Sequence, residues 1–231
     1  MSHVLDLSKD PVDLRREQEA SLARPRLKYS PMARMLFAAM DLLYGKATTL
    51  PKVRLLETLA RIPYQAWETR QYSLLSTRYH DPTLVTRATS IIDWGRAAQD
   101  NEFWHLVVID ERMRQLGMKE GLVYGLWLPR LATFKYAWFS RLLARINIRR
   151  AFYLNAEFED HAEHTYMQFV KDHPELDQEK VNCEVAQMFG PVETWGDLFR
   201  RIGLDERDHM NNSFRFCGMP DRAIRYVSIN R

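Results

Sequence analysis

Two of the seven histidines in this 231-residue chain stand three residues after a glutamate, in Glu102-Phe103-Trp104-His105 and Glu206-Arg207-Asp208-His209. On a helix, positions i and i+3 share a face, so each pair can offer a carboxylate and an imidazole to one metal ion. Ordinary glutamate usage gives roughly half such a match by chance among seven histidines, so the pairs alone carry little weight. Their surroundings carry more. Glu102 and His105 lie in Asn-Glu-Phe-Trp-His-Leu-Val-Val-Ile, a stretch otherwise suited to burial. A charged group there must be paired, bound to metal or turned outward. Two further glutamates, Glu57 in Leu55-Leu56-Glu57-Thr58-Leu59 and Glu159 beside Phe158, also sit in apolar company. One Glu from each of two helices and a Glu-x-x-His from each of two others make the di-iron or di-manganese carboxylate set of a four-helix bundle. Four carboxylates balance two divalent ions and leave coordination positions open to dioxygen. Around Glu159 the residues leave alternatives open, because His161 and His164 also share a helical face and either can ligate.

These side chains need helices to carry them, and the chain is patterned accordingly. Helical periodicity predicts elements at roughly 31–44, 51–78, 83–116, 120–145, 148–171 and 194–216, with Pro31, Pro51, Pro82 and Pro174 at starts or stops. Scarce Gly (9), plentiful Met (10) and short connections favour an all-α bundle over a sandwich or barrel. The expected organisation is a polar N-terminal arm over 1–30, a helical domain over 31–218 and a tail over 219–231, with 172–193 an irregular insert. Thirty-three Lys+Arg against 30 Asp+Glu leave a charge of +3, too little for a dedicated nucleic-acid binder. The two cysteines, Cys183 and Cys217, make no CxxC pair, so oxygen and nitrogen ligands are expected in place of sulfur. No signal-peptide core precedes Tyr29. The longest uncharged stretch of the most apolar region runs nine residues, Gly121 to Pro129, where a spanning helix needs about 20. That region instead combines Trp127, Phe134, Trp138 and Phe139 with Arg130, Lys135, Arg141 and Arg145, the composition of a helix lying in a lipid headgroup plane.

Taken together, Leu56-Glu57-Thr58-Leu59-Ala60-Arg61-Ile62-Pro63-Tyr64, Asn101-Glu102 through His105, Glu159-Asp160-His161-Ala162 with Thr165-Tyr166, and Asp205-Glu206 through His209 resemble the alternative oxidase family. The likeness spans about residues 31–216 and is nearest the plastid terminal oxidase branch, where a histidine occupies the position of His161. The absent transit peptide and a short stretch between Tyr166 and Asp205 suit a bacterial, cyanobacterial or phage-encoded member better. The resemblance implies a ferritin-like four-helix bundle with amphipathic membrane-surface helices and two iron ions in a di-iron carboxylate centre. It also implies a homodimer held on one leaflet, at the cytoplasmic face of a bacterial or thylakoid-type membrane. The implied activity oxidises quinol, either ubiquinol or plastoquinol, and reduces O2 to water without pumping protons. The alternative on the same scaffold is a di-iron hydroxylase acting on a quinone or lipid. Carried over residue by residue, the ligands are Glu57, Glu102, His105, Glu159, Glu206 and His209, and Tyr166 is the tyrosine beside the metals. Asn101, Asp205 and His161 match positions around the ligands. Leu56, Ala162, Thr165, Arg54 and Asp41 match the quinol pocket, with the basic position shared ambiguously between Arg54 and Lys52.

Overall fold

The computed structural model describes residues 6–7, 12–189 and 191–229. Among them it is all-helical, with a single isolated bridge between Lys180 and Thr194 as its only strand-like pairing. The α-helices are α1 (Leu14–Ala23), α2 (Pro31–Tyr44), α3 (Leu50–Arg78), α4 (Pro82–Gln115), α5 (Leu128–Ile146), α6 (Ile148–Asp172) and α7 (Trp195–Cys217). Their starts have local causes. Ser30, Asp81, Asn147 and Thr194 each accept a backbone N–H of the first turn, and prolines open α2, α3 and α4 where a missing N–H costs nothing. Gly218, at φ +86°, ends α7 in the left-handed conformation that glycine adopts without strain.

Helices α3 and α4 pack as one pair and α6 and α7 as another, and the pairs meet through α3 with α6 and α4 with α7. Gly203 makes the second pair close, since a Cβ there would stand 2.9 Å from Met167 Cε and 3.2 Å from Tyr166 Cβ. Helices α2 and α5 cover one side, closing an apolar cluster of Phe37, Met40, Leu55, Leu59, Tyr136 and Phe158. The expected helices appear within a residue or so of their predicted limits, except 120–145, which opens with a π turn over Val123–Trp127 before α5. The 172–193 insert holds two 3-10 turns, Pro174–Asp177 and Glu184–Phe189.

Part of the expected polar N-terminal arm is a helix packed on the domain. Within the described part, α1 lies against α6 and α7 through a polar face. Arg207 of α7 is buried between Glu17 (2.5 Å) and Glu163 (2.9 Å), and Arg24 reaches Asp160 (2.6 Å) and Glu163 (2.7 Å). The C-terminal tail joins this network where the Ser228 N–H and hydroxyl donate to Glu17. Apart from Leu14 and Leu22, which pack on the cluster of Met167, Leu204 and Tyr226, this contact is made by polar groups, so apolar periodicity gave little sign of it.

Candidate metal centre

Glu57 on α3, Glu102 and His105 on α4, Glu159 on α6, and Glu206 and His209 on α7 converge in the interior. Five of the six are 0–1% exposed and His209 is 7% exposed. They form two overlapping groups. Glu57, Glu102, His105 and Glu206 offer ligand atoms within 4.8 Å of one another, and so do Glu102, Glu159, Glu206 and His209. Glu102 and Glu206 belong to both, one from each Glu-x-x-His pair. Each group could hold a metal ion.

The donor atoms fit such an ion for a reason independent of residue type. Glu57 Oε2, both oxygens of Glu102, His105 Nδ1, Glu159 Oε2, both oxygens of Glu206 and His209 Nδ1 are buried without a hydrogen-bond partner. Buried polar atoms are ordinarily satisfied, and orphaning one costs about 1–3 kcal/mol, more for a charged group. Eight gathered at one point make a costly arrangement unless cations complete it. The imidazole nitrogens approach the carboxylates closely, His105 Nδ1 at 3.0 Å from Glu206 and His209 Nδ1 at 2.9 Å from Glu102, without hydrogen-bond geometry.

The remaining atoms of the same side chains are held. His105 Nε2 lies 3.1 Å from Asp205 Oδ2, which also accepts the Asn101 amide at 3.1 Å. A carboxylate accepts only, so Nε2 carries a proton, and Nδ1 is the nitrogen directed inward, free to ligate once a metal replaces its own proton. Tyr166 donates to Glu57 Oε1. Tyr64 and the Asn155 amide both donate to Glu159 Oε1, each at 2.8 Å. Burial, then the negative charge of Glu206, pushes Glu57 well above the usual carboxylate range, and burial with Glu102 and Glu206 does the same to Glu159. Glu102 is also raised by burial, but the adjacent His209 and His105 outweigh that and hold it at about 2. Burial and the Glu57 carboxylate keep the Tyr166 phenol protonated, and burial and Glu159 do so for Tyr64.

Asn101 and Asp205 thus lie against the gathered side chains through His105, whereas His161 faces elsewhere. Two residues past Glu159, it is turned about 200° around the helix. It stacks on Phe37 with ring centroids 4.0 Å apart and meets Arg26, and burial together with Arg26 lowers it to about 4. His164 likewise turns outward, to the carbonyls of Asp160 and Arg24. Of the two readings left open around Glu159, the carboxylate is the group facing the centre. Sequence reasoning missed Tyr64 and Asn155, although Tyr64 follows Glu57 by seven residues as Tyr166 follows Glu159.

The expected quinol-pocket residues divide. Leu56 and Ala162 are buried in the apolar cluster under α2 and α5. Thr165 donates to the His161 carbonyl at 2.7 Å. Lys52, buried, pairs with Asp41 at 2.6 Å, while Arg54 is engaged by Asp110 and Glu120 on another side of α3. Beside the cluster lies an apolar cavity of about 450 Å³ walled by Met40, Leu55, Leu59, Tyr136, Phe139 and Phe158. Leu131 of its wall belongs to an exposed run with Trp127 (62%), Phe134 (70%) and Trp138 (64%), a face that lies outside the core of this chain. Met35 and Leu43 of α2, both exposed, line the same cavity. Among the described residues no helix is long and apolar enough to cross a membrane. Compared with protein-family models the chain matches none, and no curated protein matches it.

Proposed function

We propose that this protein is a di-iron quinol oxidase of the alternative oxidase type, built on a ferritin-like four-helix bundle formed by α3, α4, α6 and α7. The observation that carries the reading is the gathering of eight unpartnered donor atoms from four glutamates and two histidines. Four carboxylates and two neutral imidazoles sum to −4, the charge that two divalent ions cancel. Glu57, Glu102, His105 and Glu206 would hold one ion and Glu102, Glu159, Glu206 and His209 the other. When bound, the iron pair supplies the redox chemistry by which two quinols give four electrons and four protons to one O2, yielding two quinones and two waters.

The chain's own residues supply position, dryness and proton placement. Asp205 fixes the His105 tautomer, and Asn101 fixes Asp205. Tyr166 keeps its phenolic proton on Glu57, within reach of the centre, where it can deliver a proton and an electron together. The apolar cavity is of a size to admit a quinone ring and opens beside the exposed aromatic stripe. That stripe, with exposed Arg130, Lys135, Arg141 and Arg145 on the same helix, suits binding to one leaflet of an anionic membrane, where quinols dissolve. The Lys52–Asp41 pair, on the two helices that supply the cavity residues Met40 and Leu55, would offer polar groups to quinol hydroxyls, and we assign the basic position to Lys52. The protein is read as a homodimer on this membrane.

The test is oxygen uptake by iron-loaded protein in detergent with a short-chain quinol, counting quinol oxidised per O2 consumed. A ratio near two, abolished by Glu206→Ala, supports the reading. Two irons bound without quinol-dependent uptake would favour the hydroxylase, and absence of bound iron would overturn the metal centre altogether.

A further inference from the structure

The proposed function leaves Tyr64 without a task, yet its surroundings are as ordered as those of Tyr166. It is 0% exposed, and its hydroxyl donates to Glu159 Oε1 at 2.8 Å. The Asn155 amide nitrogen lies 2.8 Å from the same oxygen, 2.9 Å from Tyr64 Oη and 3.1 Å from Ser213 Oγ, three acceptors that share its two protons. Trp67 and Trp94 wall the ring at centroid distances of 4.9 and 5.6 Å. Gly95 lets α4 approach, since a Cβ there would stand 3.3 Å from the Tyr64 carbonyl oxygen. In this dry enclosure the hydroxyl has no solvent alternative to Glu159.

The two tyrosines are exchanged between helices. Tyr64 follows Glu57 on α3 but serves Glu159 on α6; Tyr166 follows Glu159 on α6 but serves Glu57 on α3. In both cases Oε1 is taken and Oε2 is left unpartnered toward the centre. The arrangement is not fully symmetric, because Glu159 Oε1 has a second donor in Asn155.

We propose that Tyr64 is a positioning residue for the metal centre: with Asn155 it occupies one oxygen of Glu159, so that this glutamate offers its other oxygen to the ion shared with Glu102, Glu206 and His209. The inference rests on the metal-centre reading of the previous section and assigns Tyr64 to one of the two ions only. Tyr166 performs the corresponding task for the other. Because Glu159 is held by two donors and Glu57 by one, the two ions have unequal surroundings.

The test uses cobalt(II) as the sole metal, added anaerobically to the metal-free full-length protein, following binding affinity and visible absorption. His105→Ala and His209→Ala assign the absorption of each ion. Wild type is expected to bind two ions with distinct spectra. Tyr64→Phe keeps the ring and removes one donor, so the ion at His209 is expected to bind about 10–100-fold more weakly with an altered band. The ion at His105 keeps its band and binds within about twofold of wild type. Tyr166→Phe is expected to show the opposite pattern. A Tyr64→Phe protein that binds both ions with wild-type affinities and spectra overturns the proposal, as does one that perturbs both equally. If that variant does not fold, Asn155→Leu removes the other donor to the same oxygen and must perturb the same ion alone. Wild type that binds no cobalt overturns the metal centre itself, an outcome distinct from failure of Tyr64.

Discussion

Glu159→Gln should make the metal-free protein more stable while halving the stabilisation that metal adds. In the wild type, Glu159 Oε1 accepts two hydrogen bonds and Oε2 accepts none, while Glu102 and Glu206 crowd it with like charge. An amide oxygen can retain both bonds from Tyr64 and Asn155. Its NH2 replaces Oε2 and turns toward the oxygens of Glu102 and Glu206, whose ligand atoms fall in the same group within 4.8 Å. Exchanging a buried carboxyl that must either carry a costly charge or take up a proton for a satisfied dipole is worth about 1–3 kcal/mol. At roughly 2–4 °C per kcal/mol for a chain of this size, the metal-free melting temperature should rise by about 2–12 °C. Metal offsets that advantage. Each site filled at a hundred times its Kd stabilises by about 2.7 kcal/mol, so two give about 5.4 in the wild type and the variant retains about half. Thermal melts by circular dichroism, after chelation and again with excess iron(II) under nitrogen, measure both numbers. A variant that melts below wild type when metal-free, or keeps the full metal-induced shift, refutes the argument.

Arg207→Met strands Glu17 and Glu163 without their shared guanidinium and should cost about 3–5 kcal/mol, with Glu17→Gln in the same chain recovering part of it in a denaturant melt. Burial raises Glu17, but Ser228 and Arg207 hold it below its ordinary 4.5. Its contribution is therefore full above pH 4.5 and lost as pH falls through the lowered value, so amide protection of α1 should drop on acidification before that of α7. Asp205→Ala removes the acceptor of His105 Nε2 and should weaken metal binding about 10–100-fold in a cobalt titration. Replacing Trp127, Phe134 or Trp138 by Ser removes apolar surface worth about 1–2 kcal/mol each, a roughly 5–30-fold loss in co-sedimentation with anionic vesicles. Unchanged sedimentation would remove the membrane-surface reading.

Whether a residue was legible in the sequence depended on whether its partner was local or distant. The Glu-x-x-His pairs are complete within one helical turn, so their spacing, read together with its apolar surroundings, singled them out before any fold was known. The crowd on α6 could not be sorted that way, because Glu157, Glu159, Asp160, His161, Glu163 and His164 differ only in the direction each faces. At about 100° per residue the helix divides them. Glu159 turns to the centre, Glu157 to the Ser30 cap of α2, and Asp160 and Glu163 to Arg24 beyond α1. That division needed the N-terminal helix, whose buried Glu17, Gln18 and Ser21 read as a solvated surface in a sequence scored for apolar periodicity. Tyr64 was missed for a related reason. Seven residues after Glu57, it sits on the face that predicts a neighbour of Glu57, and its hydrogen bond instead crosses to α6. The spacing that brings Tyr166 near Glu159 in sequence likewise delivers it to Glu57 in space. Same-face spacing therefore identifies which side chains reach the interior, while the pairing of helices α3 and α6 decides which carboxylate each one holds.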